Sequence, residues 1–157
     1  MNENDIPRAA ATFQTSVRVR SYHLDSFGHV NNAVYLNYLE AARCDWLEAR
    51  GILFQQFAAA GQFPVVVRAE LDFRAAAACH DQLIIHVRID SWRSRTFSMR
   101  YKLTRGSDGP VVLDALTVHV FVDAAGKPIS IPSWFINAFA DTAAPEEPSA
   151  GSGPAAP

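Results

Sequence analysis

The sequence predicts an α+β fold in which one long helix is wrapped by an antiparallel sheet, and three observations carry that prediction. A strand-like alternation at Val17-Arg18-Val19-Arg20 runs into a stretch where Tyr35, Tyr38, Leu39, Ala42 and Trp46 recur at spacings of three and four. Further on, apolar stretches between Val65 and Val122 follow one another as strands. The links among these later strands are of hairpin length, which favours antiparallel pairing over the long crossover that parallel strands need.

The elements follow in order. Asn31 or Asn32 is a favoured N-cap for the long helix and Gly51 a favoured stop. Between them lies a helix of about 27 Å at 1.5 Å per residue, long enough to span a sheet. Residues from Ile52 to Ala60, with Phe54 and Phe57, predict a short second helix or turn ending at Gly61 and Pro64. Val65, Val67, Ala69, Leu71 and Phe73 then alternate with Val66, Arg68, Glu70, Asp72 and Arg74. Leu83, Ile85, Val87 and Ile89 alternate with His86, Arg88 and Asp90, and Phe97, Met99, Tyr101 and Leu103 form the next strand. Gly106 to Pro110 is a turn, and Val111 to Val122 is apolar on both faces, as in a central strand covered on both sides. Ile131 to Phe139 predicts a short closing helix capped by Ser133.

Composition narrows the function. A chain of 157 residues with 49% hydrophobic content can bury one core, so one domain is expected over residues 12–140. Residues 1–11 are expected to be a flexible N-terminus, and residues 141–157, rich in Ala, Pro, Gly, Ser and Glu, a disordered tail. A net charge of −2 gives no global reason to expect nucleic acid, and the apolar runs are too short for a membrane span. The start of the chain lacks the features of a secretory signal, and Cys44 and Cys79 have no metal-type spacing, so a cytoplasmic location is expected. His80, His86 and His119 are scattered, and no metal and no Gly-rich phosphate loop is expected.

The chemistry concentrates in Asp25-Ser26-Phe27-Gly28-His29-Val30-Asn31-Asn32, which puts a carboxylate, an imidazole and a helix start into one turn. A carboxylate can attack a carbonyl or activate water, and a helix start can hold an oxyanion. By spacing alone, an Asp before a helix is more often a cap or a turn former than a catalyst.

Residues 17 to 50 carry a specific resemblance. The run from Val17 through Tyr22-His23-Leu24-Asp25, then Gly28-His29-Val30-Asn31-Asn32, Tyr35-Leu36 and Glu40-Ala41-Ala42-Arg43, resembles the bacterial long-chain acyl-CoA thioesterase branch of the 4-hydroxybenzoyl-CoA thioesterase superfamily. The resemblance implies a single hotdog domain, a curved antiparallel sheet wrapped around one central helix. It also implies hydrolysis of a medium- or long-chain fatty acyl-CoA to free acid and coenzyme A, with no cofactor. Asp25 falls on the family's catalytic carboxylate, and Asn32 falls where a backbone N–H points at the thioester carbonyl. Asp25 then acts as base on water or as nucleophile, and both routes stay open.

His29 also matches the plant acyl-carrier-protein thioesterases, where the corresponding His belongs to the site. Those proteins carry Asn where this chain has Phe27, which leaves His29 between an active-site role and a hydrogen bond that braces the loop. Phe27 and Gly28 in the turn and Tyr35 on the helix are expected to border the substrate. Arg93 and Arg95 open a basic stretch that continues through Arg100, Lys102 and Arg105 and could attract coenzyme A phosphates. Glu40 sits where some hotdog enzymes place a catalytic acid, and Arg43, three residues on, is expected to pair with it. An acyl-thioester dehydratase or hydratase, or a non-catalytic acyl-CoA-binding module, are the alternatives on this fold. One helix and one curved sheet leave a strand edge exposed, so a homodimer or homotetramer is expected, and by analogy each active site lies between subunits.

Overall fold

The computed structural model describes residues 12–140, so the segments expected to be flexible at 1–11 and disordered at 141–157 lie outside the described residues. Five strands, β1 (Phe13–Arg18), β2 (Gln62–Phe73), β3 (Gln82–Trp92), β4 (Thr96–Arg105) and β5 (Val111–Asp123), form one sheet in the order β1-β3-β4-β5-β2. Every pairing is antiparallel; short links join β3 to β4 and β4 to β5, whereas β2 and β3, consecutive in sequence, are not neighbours in the sheet. The helices are α1 (Asn32–Ala49), α2 (Phe54–Ala60) and α3 (Ser133–Ala140).

Helix α1 starts and stops as its sequence dictates. The Asn31 side chain accepts from the Ala33 N–H at 2.9 Å, and Gly51 adopts φ 71° just past the last turn. The face predicted from spacing is the buried face: Tyr35, Tyr38, Leu39, Ala42 and Trp46. It meets the alternating inner row of the sheet, where Leu83, Ile85, Val87, Ile89, Phe97, Met99, Tyr101 and Leu103 are all buried.

Aromatic packing closes one end. Phe135 and Phe139 of α3 pack among Trp92, Phe97 and Trp46, with Trp46 and Phe139 edge to face at 5.1 Å. Arg50 lies over the Trp46 and Phe139 rings and donates to the Ala138 carbonyl at 2.8 Å, tying α3 to the end of α1.

Three sequence expectations need correction. The alternation read through Val65, Val67, Ala69, Leu71 and Phe73 breaks at a β-bulge between Val66 and Arg68. Val66 opposes His119 on the inner row, Val67 is extra, and Ala69, Leu71 and Phe73 return to the inner row. β5 is interior, yet its outer residues Leu116, Val118 and Val120 are only half-buried, so one face rather than both is covered. Ser133 begins α3 instead of preceding it, and the Pro132 carbonyl accepts from the Phe135 and Ile136 N–H groups.

A polar chain runs inside the core. The Tyr101 hydroxyl lies 3.1 Å from Thr117 Oγ1, which lies 2.8 Å from His119 Nε2, while Phe97 stacks on the imidazole at 4.7 Å. Burial, with Arg43 nearby as a lesser cause, drives the His119 pKa from 6.5 down to about 3.

Two outcomes follow from this packing. Trp46→Ala should cost about 3–5 kcal/mol, the range for truncating a buried large aromatic, measured by equilibrium denaturation. On acidification below the ordinary imidazole value of 6.5, the unfolded chain protonates His119 while the folded chain stays neutral. The stability that His119 contributes is therefore complete above pH 6.5 and lost toward pH 3, and His119→Gln should flatten the fall in unfolding free energy across that window.

Candidate active site

The chain between β1 and α1 is a closed ring of local hydrogen bonds. After a single 3-10 turn at Ser21–His23, Leu24 and Val30 pair as an isolated bridge. The Asp25 N–H donates to the His29 carbonyl at 2.9 Å, and the Gly28 N–H donates to the Asp25 carbonyl at 3.1 Å. Gly28 takes φ 79°, a conformation costly for a residue with a Cβ. The base of the ring is fixed by the Asn31 N–H donating to the His23 carbonyl at 2.9 Å and the Val30 N–H to the Ala77 carbonyl at 2.9 Å.

His23 bolts this ring to the helix. Its Nδ1 lies 2.7 Å from the Tyr38 hydroxyl and accepts from the Arg20 N–H at 3.1 Å. Burial pushes the Tyr38 phenol up to about 12, so it keeps the proton it donates.

Asp25 is half-buried, and its Oδ1 accepts from the Phe27 N–H at 2.8 Å. That bond fixes the carboxyl plane and leaves Oδ2 for another partner. Asn32 is the first residue of α1, and among the described residues no acceptor takes its N–H. Asp25, His29, Asn32 and Tyr35 line one open cavity of about 430 Å³ with Phe73 and Arg74. A carboxylate and an oriented helix-start donor thus face the same space, an arrangement that can activate a nucleophile and stabilise an oxyanion.

Other expected residues fall elsewhere. Phe27 is 84% exposed at the tip of the turn, and neither it nor Gly28 lines this cavity. Tyr35 is buried beneath it, with its phenol pushed up chiefly by burial. Arg93 and Arg95 sit in the β3–β4 turn, at the other end of β3 from Gln82, where β1 pairs and the chain leads on toward the Asp25–Asn32 turn. The length of β3 separates them, about 33 Å at 3.3 Å per residue, so within one chain they do not reach Asp25. Of the same basic stretch, Arg100 pairs with Asp90 at 3.0 Å and Arg105 with Asp81 at 3.0 Å.

Glu40 and Arg43 depart from the expected pair. Among the described residues no ion pair within 4 Å joins them, and Arg43 Nη1 lies 3.4 Å from the Tyr101 hydroxyl. Both line a second cavity of about 330 Å³, walled by Val66, Met99, His119 and Phe139. Sequence reading missed Phe73 and Arg74 in the first cavity and His119 in the second. The signal was present as an apolar residue and a basic residue at the end of a strand, but the bonds that bring this segment to the Asp25 turn, the His29–Ala78 bridge and the Val30 N–H to the Ala77 carbonyl, span many residues.

The chain is similar to known thioesterases. The long-chain acyl-CoA thioesterase FadM of Escherichia coli K12 is 38% identical over 110 residues, covering 70% of this chain and 83% of its own. A chloroplastic acyl-acyl carrier protein thioesterase of Arabidopsis thaliana is 28% identical over 120 residues, covering 76% of this chain and 63% of its own. The crystal structure of YbaW, a probable thioesterase from Escherichia coli, superposes with a TM-score of 0.70 at 32% identity, covering 82% of this chain and 98% of that one. That of a 1,4-dihydroxy-2-naphthoyl-CoA thioesterase from Synechocystis superposes at 0.79 over 86% of this chain and all of that one; at 24% identity it shows the shared hotdog fold. The thioesterase-like superfamily pattern matches residues 19–139, most of the described chain, and this protein belongs to that superfamily as a thioester hydrolase.

Proposed function

We propose that the protein hydrolyses medium- or long-chain fatty acyl-CoA, with Asp25 as the catalytic carboxylate and the Asn32 N–H as an oxyanion donor. The observation that carries this reading is the cavity shared by the half-buried Asp25 and the open start of α1. Attack on a thioester carbonyl builds negative charge on its oxygen, and a helix N-terminus offers a fixed donor and a positive dipole end there. Asp25 either deprotonates the attacking water or attacks to form a mixed anhydride that water then cleaves. Either route needs the ionised carboxylate, and the coenzyme A thiolate leaves readily. His29 is exposed on the cavity wall, where its imidazole meets the entering substrate. The two free thiols, Cys44 and Cys79, accord with a cytoplasmic setting.

Assembly is part of the same proposal. β2 is an edge strand whose Val65, Val66, Val67 and Phe73 are each more than a third exposed. A second copy pairing antiparallel on this edge covers them, and two-fold symmetry brings the Gln62 end of one β2 toward the Phe73 end of the other. Each Asp25 cavity, which includes Phe73, then lies beside the start of the partner's β2. Arg93 and Arg95 come to a substrate only from another copy.

Thiol release across a series of acyl-CoA lengths, with an aromatic acyl-CoA included, tests the substrate class; no release from any fatty acyl-CoA overturns it. Asp25→Asn keeps size and turn-forming ability but removes the charge, and hydrolysis should fall roughly a hundredfold or more in protein with parental circular dichroism. His29→Ala should cost less if the imidazole only braces the loop, whereas an equal loss makes it a catalytic partner. Sedimentation equilibrium should show a dimer or tetramer, and a fully active monomer refutes the shared site.

A further inference from the structure

Both cavities are lined by α1 on one side and β2 on the other, Asn32, Tyr35 and Phe73 in the first and Glu40, Arg43 and Val66 in the second. α1 packs chiefly against β1 and β3 and meets the inner row of β2 at Tyr35 and Phe73, whose rings lie edge to face at 5.3 Å, while Val66, Ala69 and Phe73 stay exposed along the strand. Glu40 and Arg43 lie eight and eleven residues past Asn32, about 12 and 16 Å along the helix axis. The second cavity is therefore placed to hold the distal part of a chain whose thioester lies at the catalytic turn.

Its walls are not those of a plain hydrocarbon sleeve. Leu47, Val66, Ile89, Phe97 and Phe139 supply apolar surface, but Arg43 stands half-buried among them, its one side-chain hydrogen bond among the described residues being the 3.4 Å contact to Tyr101. A guanidinium donates five N–H groups and accepts none, so most of its capacity is uncommitted at this wall. Glu40 lines the same cavity three residues away without pairing with Arg43, and it can only accept when ionised. A donor-only group beside an acceptor-only group matches a hydroxyl, which does both. A carboxylate would suit Arg43 but be repelled by Glu40. His119 stays neutral and adds no charge, and its imidazole is already engaged with Thr117.

We infer that the α1–β2 cavity reads the distal part of the acyl chain and that Arg43, with Glu40, selects hydroxylated acyl groups over plain alkyl chains of equal length. The inference deepens the proposed acyl-CoA hydrolase reading and rests on it for the position of the thioester. Binding of non-hydrolysable S-alkyl-CoA thioethers, measured by calorimetry beside their ω-hydroxy counterparts over a series of lengths, tests it without relying on turnover. At the length that reaches the cavity, the hydroxylated thioether should bind about tenfold more tightly, the scale of a hydrogen bond to a charged group. Arg43→Met should abolish that ratio, and Arg43→Lys, which keeps a charged donor, should restore part of it, with melting temperature checked in each. Equal binding at every length, tighter binding of the plain alkyl series, no binding of either series, or a ratio that survives in Arg43→Met overturns the inference. If the ratio appears but the matching thioesters are not hydrolysed, the cavity assignment stands and the hydrolase reading of its substrate fails; rapid hydrolysis with no ratio gives the reverse.

Discussion

An α-helix with its side chains is about 10–12 Å across, whereas five strands spaced about 4.8 Å apart make a sheet roughly 19 Å wide between its edge strands. One helix cannot cover such a sheet. α1 settles over β1 and β3, the side to which the Asp25–Asn32 turn tethers it, and the inner face of β2 is only partly covered. The α1–β2 groove, the two cavities along it and the exposed edge of β2 all follow from this mismatch. The bulge at Val67 works in the same direction, because it restores Ala69, Leu71 and Phe73 to the inner row and gives the groove an apolar floor.

The tether itself is local. Between Arg20 and Ala33 the backbone closes on itself through the Leu24–Val30 bridge, the Asn31-to-His23 bond and the Asn31 cap, and His23 and Tyr38 lock that unit to the second turn of α1. Two donors converge on His23 Nδ1, so this ring nitrogen serves as acceptor and the proton sits on Nε2. The Asp25 carboxyl is oriented by its own turn through the Phe27 N–H. A carboxylate held this way needs no third residue to aim it, which suits a reaction whose leaving group departs without strong acid assistance.

Local signals made the fold and half of the site readable from sequence. Asn31, Gly51 and the spacing of Tyr35, Tyr38, Leu39, Ala42 and Trp46 act within α1 itself, and the Asp25-to-Asn32 turn is built from bonds spanning a few residues. What escaped depends on partners far away in sequence. The Val67 bulge is set by the β5 register, the half-covered outer face of β5 by the absence of a second layer, and Arg43's turn toward Tyr101 by the position of β4. That Arg93 and Arg95 stand at the other end of β3 from the Asp25 turn is likewise fixed by strand pairing. Ser133 is a one-residue error in a helix that a proline starts: the fixed φ of Pro132 sets the chain direction before any side-chain cap acts.

The half-open face of β2 carries two demands that meet in the same atoms. In the proposed site Val66 and Phe73 would give an acyl chain its apolar contact, and they also belong to the edge that a second copy would cover. These uses are compatible because they engage different sides of the strand: pairing takes the free N–H and C=O groups in the plane of the sheet, while the chain lies on the side chains above it. A partner strand would therefore wall the groove without filling it, turning an open trough into a channel that excludes water from the alkyl chain. Desolvation of that chain, at about 25 cal/mol per Å² of apolar surface, grows with how completely the channel encloses it. Substrate affinity and subunit association are then thermodynamically linked, since a ligand that binds the closed groove more tightly than the open one must also tighten the assembly that closes it.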